Sequence, residues 1–266
     1  MATLVDELTA RDLATLAAVT GSEPDDLTAE LRRRPWRIHD LLSDEAVFDS
    51  VLDRHSHPAR LVSPVLLFAV LIHRAADELR EAPYVNDWTG PRARLPVFDV
   101  APLNEYLDDL GRMVFLARLL ASFAVPQPLP VPEENQFDLV ALSGWLDSVP
   151  DRLGLMRRMG DLALFLSGVF PDRTGSRPLM PVDAERLGRG VGMNADEILA
   201  LCDPAGLAPG LTAFETLGAR WYETSLASQP PVVGDVAHRF SAARRVLNHI
   251  ADTQLYRLDT GFPLAS

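Results

Sequence analysis

"RRMGDLALFLSGVFPD", Arg157 to Asp172, sets two arginines, two aspartates, a serine and two glycines in an otherwise apolar run. With helical periodicity, Gly160, Leu164 and Ser167 share one face, and small residues there let a neighbouring helix approach closely. Asp161 follows Arg157 and Arg158 by about one turn, so a guanidinium can neutralise its carboxylate within the helix. A buried aspartate without such a partner is rare. Phe165 and Gly168 continue the Asp161 side. Phe170 precedes Pro171, and the residue before a proline is pushed out of helical geometry, which ends the helix. Asp172 and Arg173 are then placed to bond the last carbonyls or each other. The segment reads as a central helix with a specified charge pair. The alternative is a polar pocket inside a helical bundle, with Asp161 as an acid/base group or cation ligand.

Working outward, helical periodicity dominates. The pattern predicts about ten helices, over 3–19, 24–34, 37–53, 63–82, 102–124, 136–148, 150–169, 182–189, 194–202, 212–228 and 232–258. Ser22, Ser43, Asn194 and Thr212 stand where first-turn amides need a side-chain acceptor, and Glu197 and Glu215 complete capping boxes with the last two. "VPQPLPVPEEN" carries prolines at 126, 128, 130 and 132. Alternating prolines hold an extended path that cannot continue a helix. The expected organisation is therefore all-α: an N-terminal lobe over 1–125, a Pro-rich linker over 126–135 and a C-terminal lobe over 136–266, packed as one body. "APYVNDWTGPRARLPVFDVAP" is read as a long irregular connection. Its "RLPVFDV" gives poor strand signal because prolines interrupt and flank it.

Composition excludes several classes of function. The net charge is -12, from 37 acids against 25 bases, whereas duplex binding needs a basic face to release counterions. Every base is arginine and there is no lysine, a bias that fits a GC-rich genome or salt adaptation. The single cysteine, Cys202, rules out an intrachain disulfide and fits a reducing cytoplasm. The N-terminus is acidic and amphipathic, unlike a signal peptide. The longest apolar run, Pro64 to Ile72, is far short of the ~20 residues a membrane span needs.

Motifs are sparse. His55 and His57 lie in a turn before Pro58, and a lone His-x-His needs ligands from elsewhere. His73 stands one turn before Asp77, an acid/base couple or a helix-surface pair. His238 and His249 on one helix would be ~16 Å apart, too far to share an ion; with Arg245 and Asp252 they oppose a core stripe of Phe240, Ala243, Leu247, Ile250 and Leu258. No Glu-x-x-His occurs for a carboxylate-bridged di-metal centre. "GRGVG", Gly188 to Gly192, follows no strand and reads as a helix stop, not a phosphate cradle. No cofactor or metal is expected. The candidate pocket or structural charge pair comprises Arg157, Arg158, Asp161, Arg244 and Asn248. The candidate contact loop is Tyr84, Asn86, Asp87 and Trp88, whose aromatics combine an apolar body with a polar tip.

At "GDLALFLSGVFPD" the chain resembles an uncharacterised family of mostly bacterial all-helical proteins, with the likeness extending to "YVNDW", "ARWY" and "FSAARRVLNHIAD". The resemblance implies a self-contained fold. No activity comes with it, so no residue role carries over. The expected function is that of a non-enzymatic cytoplasmic protein, regulatory or scaffolding, that binds a partner protein and neither nucleic acid nor membrane. The alternative is a helical-bundle enzyme or small-molecule binder, with a pocket near Asp161, Arg157, Arg244 and Tyr84.

Overall fold

A computed structural model describes residues 3–52, 62–90, 93–125, 132, 136–172, 179–202 and 209–255. His55, His57, Arg173, Leu258 and most of the Pro-rich linker lie outside them. The described residues form an all-α protein with one small antiparallel hairpin. Fourteen α-helices occur among them, against about ten expected. The excess comes from capping aspartates and a kink that divide patterns read as continuous. Asp44 accepts from the Ala46 amide at 2.8 Å and Asp109 from the Arg112 amide at 2.9 Å, so each starts a new helix inside an apolar stripe that runs on.

The chain forms two compact units, one of Met1–Ala82, Leu107–Gln127 and Asp252–Ser266, the other of Pro83–Tyr106 and Pro128–Ala251. Both are discontinuous in sequence: residues 83–106, which the sequence grouped with the N-terminal lobe, belong to the second.

The first unit contains α1 (Ala10–Thr20), α2 (Pro24–Arg33), α3 (Arg37–Leu42), α4 (Glu45–Val51), α5 (Pro64–Glu81) and α7 (Leu110–Ala124). Its centre is α5, whose residues Leu66 to His73 are all buried. Packing on α5 by α3, α4 and α7 explains why that run is apolar on every side. Asp12, fully buried, ties two helix starts together. One oxygen accepts from the Thr9 amide at 2.8 Å, the other from the Ser63 amide at 2.7 Å. The expected cap Ser22 is not used; α2 starts at Pro24, which needs no amide acceptor.

The second unit contains β1 (Val85–Gly90), β2 (Ala93–Val97), α6 (Ala101–Leu107), α8 (Leu139–Ser143), α9 (Arg152–Val169), α10 (Pro181–Arg189), α11 (Ala195–Leu201), α12 (Pro209–Ser225), α13 (Val232–His238) and α14 (Phe240–Thr253). The hairpin corrects the reading of 82–102 as irregular. Asn86 pairs with Pro96 and Trp88 with Arg94. A two-stranded sheet has only edge strands, where the missing proline amide can face outward. The Asn194–Glu197 capping box forms as expected, at 2.7 and 2.9 Å. Thr212 lies inside α12 instead of capping it, because the helix already starts at Pro209.

The most extensive helix pair is α9 with α12. Its closeness rests on missing side chains. A Cβ on Gly160 would lie 2.6 Å from the Tyr222 ring, and one on Gly218 would lie 3.1 Å from the Ala163 Cβ. On the neighbouring side of α9, a Cβ on Gly168 would lie 2.6 Å from Leu247. The expected helix over 232–258 breaks at Arg239, whose φ of -115° and ψ of 29° leave helical geometry. The kink seats Phe240 against Gly218 and Tyr222.

Candidate functional site: two arginine–carboxylate clusters

The candidate residues of the second unit fall into two clusters. The first is built on α9. Asp161 Oδ1 accepts from Arg157 Nε and from the Tyr222 hydroxyl, each at 2.8 Å. The close approach at Gly160 is what lets Tyr222 reach it. Arg157 also donates to Gln229 at 3.4 Å and lies over the Tyr222 ring, 5.2 Å from its centre. Burial opposes the Arg157 charge, but Asp161 and Tyr222 outweigh it and hold its pKa above the ordinary value. Burial wins at Arg158 and lowers its pKa against the pull of Asp161. The Tyr222 phenol is pushed well above its usual range by burial first and by the neighbouring Asp161 charge second. It therefore stays a neutral donor to the carboxylate.

The second cluster centres on Arg244 of α14, whose side chain is 4% exposed. Its Nη atoms donate to Asp87 of β1 at 3.0 and 3.4 Å, a two-pronged contact. Its Nε donates to Glu215 of α12, and Nη1 also donates to Asn248. The Asn248 amide in turn donates to the carbonyls of Ser167 and Gly168 near the end of α9. Those carbonyls lie in the last turn, which has no intrahelical donors left for them. Arg245 Nε lies 3.2 Å from Asp87 Oδ2 without pointing along it, which makes the contact an ion pair and not a hydrogen bond. Beside this, the Trp88 indole N–H donates to Asp172 at 2.6 Å. Two cations and two anions thus balance around Arg244, as burial requires.

Arg244 and Asn248 therefore join the hairpin and the end of α9, while Arg157 and Asp161 join α9 to α12, with Arg158 under the electrostatic influence of the same group. Asp87 and Trp88 are the inward members of the contact loop. Tyr84 and Asn86 are exposed, and the Tyr84 ring rests on Phe98 with centres 5.8 Å apart. Sequence reasoning missed Tyr222 as the partner of Asp161, although "ARWY" drew notice. It read Glu215 as a capping residue when it pairs with Arg244. It missed Asp172 as the acceptor for Trp88. No local signal carries those three, because their partners lie 61, 29 and 84 residues away in sequence.

Elsewhere, His73 does not pair with Asp77, which bonds Arg80 at 2.6 Å. Its partner is His39. The half-buried Cys202 thiol is pushed up by burial, away from thiolate reactivity. Among the described residues, no group of three or more His, Cys, Asp or Glu side chains could hold a metal ion, and no helix is long and apolar enough to cross a membrane.

Fold and site together define an all-α protein whose second unit fastens a β-hairpin to its helices through arginine–carboxylate clusters. No family model, curated protein or solved structure matches the chain.

Proposed function

We propose that the chain is a non-enzymatic, cytoplasmic protein of regulatory or scaffolding type, and that it binds a partner protein through the exposed apolar residues of its hairpin segment. The observation that carries this reading is a hairpin segment that is anchored at some residues and open at others. Asp87 and Trp88 are bonded to Arg244 and Asp172, which fixes its position on the helices. The same segment leaves Phe98 73%, Leu95 50% and Tyr84 44% exposed. Large apolar side chains grouped on a rigid element are what a partner surface uses. The groups that could have served chemistry are engaged internally: the Asp161 carboxylate already accepts from Arg157 and Tyr222. This weighs against the enzyme or small-molecule reading. The single cysteine and the acid excess support a reducing, nucleic-acid-free setting. The family likeness rests on "GDLALFLSGVFPD", "YVNDW", "ARWY" and "FSAARRVLNHIAD", each of which supplies residues to the two clusters.

The test is site-specific photocrosslinking in cells. A photoreactive phenylalanine analogue at Phe98 is expected to give a discrete protein adduct, while the same analogue at exposed Glu223 does not. Equal adduct patterns from the two positions, or none from Phe98, would overturn the reading.

A further inference from the structure

The first unit holds a histidine pair that the proposed function does not use. His73, on α5, is 4% exposed, and its Nδ1 lies 2.7 Å from the Ala69 carbonyl oxygen. A carbonyl can only accept, so Nδ1 carries the proton and Nε2 is a bare lone pair. His39 Nδ1, on α3, lies 3.0 Å from that Nε2. It must therefore carry a proton too and donate it. The ring centres are 5.2 Å apart, the length of the bond plus the distance from ring centre to nitrogen on either side. The two rings therefore meet head-on, along a nearly straight N–H···N line. Tetrahedral metal ligands converge at an angle instead, so a proton is the ion this geometry suits.

We propose that His39 and His73 form an acid-sensitive clasp, which holds α3 against α5 with one shared proton and releases α3 when the pair takes up its second additional proton. The first added proton goes to His39 Nε2, on the half-buried ring beside Asp40. The N–H···N bond survives it and becomes charge-assisted. The second has only His73 Nε2 to occupy. That site already faces the His39 N–H, so two cationic N–H groups would point at each other in a buried setting. His73 is held by an eighteen-residue helix buried on most sides. The lighter partner is α3, six residues long and without a side-chain cap at its start.

The charged groups around the pair do not prevent this. Asp40 favours the charge on His39, and Arg80 disfavours it on His73. Arg37, also on α3, is paired with Glu30 of α2. Arg74, also on α5, lies over Phe48 of α4 and pairs with Glu78. The charged residues of α4, Glu45 and Asp49, and of α7, Arg112 and Arg118, are not among the groups acting on either ring. Burial pushes His73 down to about 4 and lowers His39 as well, which keeps the clasp shut at neutral pH.

The test uses the full chain. Histidine-selective isotope labelling and NMR should find both rings in the Nδ1–H form at pH 7, with His39 titrating before His73. Hydrogen exchange, corrected for its intrinsic pH dependence, should show the protection of Arg37–Leu42 falling at least about tenfold by pH 4, while Leu110–Ala124 stays protected. His39→Asn keeps a donor at the same place, and its amide can turn to present oxygen once His73 is protonated. This variant should hold α3 through the same pH range. Pairing of either ring in the other tautomer, α3 protection that ignores pH, or His39→Asn opening at the wild-type pH would each overturn the proposal. The NMR measurement on wild type decides the matter even if the variant folds poorly.

Discussion

Gly160→Ala is a severe change for one methyl group. The added carbon would lie 2.6 and 2.7 Å from two carbons of the Tyr222 ring, where non-bonded carbons prefer about 3.5–4.0 Å. The ring must retreat by about 1 Å, and little around it yields. Tyr222 is fully buried, its hydroxyl is bonded to Asp161, Arg157 covers one side and Phe240 lies 5.9 Å away. Overpacking of this kind costs about 1–3 kcal/mol. If the hydroxyl leaves the carboxylate, a further 1.5–3 kcal/mol, roughly, is at stake. Against this stands the gain of about 1 kcal/mol from alanine over glycine in a helix. The expected net loss is about 2 kcal/mol, read as a lower urea midpoint by far-UV circular dichroism. Gly234→Ala is the internal control, because its Cβ would meet Leu226 at an ordinary 3.5 Å; it should be neutral or slightly stabilising. In a double-mutant cycle with Tyr222→Ala, which removes the obstructing ring, Gly160→Ala should cost about 1–3 kcal/mol less than alone. A Gly160→Ala protein as stable as Gly234→Ala, or additivity in the cycle, would refute the packing argument.

Arg244→Met should be among the most damaging single changes in the second unit, because it strands Glu215 and leaves Asp87 with Arg245 as its cation. Removing one partner of a buried pair costs about 3–5 kcal/mol, with the lower end expected here since both acids keep about a fifth of their surface in water; urea unfolding gives the number. Trp88→Phe removes the indole donor to Asp172, whose side chain is half exposed, so the expected loss is only about 1 kcal/mol, seen as a small midpoint shift. Stability should also fall on the acid side because of His73. Its pKa is 6.5 in the unfolded chain and about 4 when folded, so the unfolded state binds the proton first. The stabilisation is whole above pH 6.5, is lost as pH drops, and levels off below about pH 4 after a change of about 3 kcal/mol. His73→Leu should flatten that part of a stability-against-pH curve, and an unchanged slope would count against the assignment.

The local physics of the chain was readable where one segment carried the whole signal. The length of α9, its stop at Pro171, the Arg157–Asp161 pair and the Asn194–Glu197 cap all depend on residues within a turn or two. Helix breaks were harder, because Asp44, Asp109 and Arg239 interrupt apolar stripes that continue past them. The hairpin was missed since Pro96 argues against a strand unless the sheet has free edges, a property of the sheet and not of the residue. The candidate residues were found as types but not as partners. Arg244 was grouped with Asp161, yet the chain sends it to Asp87, 157 residues away. His73 was matched to Asp77 on the nearest turn, while its actual partner sits on another helix. A charged side chain declares that it needs a counterpart; which counterpart it meets is decided by how the helices stack.

That long reach bears on how the protein is made. The hairpin leaves the ribosome with Asp87 and Trp88 in hand, but Arg244 and Asn248 are translated 157 and more residues later. At about 5–20 residues per second, the hairpin waits on the order of ten seconds for the side chains that lock it down. Through that interval its exposed apolar residues and its unmatched acid are both available to chaperones. The second unit is closed by the last of the described helices to emerge, so chains cut short before α14 should carry a hairpin that lacks its Arg244 anchor and keeps only the Trp88–Asp172 bond.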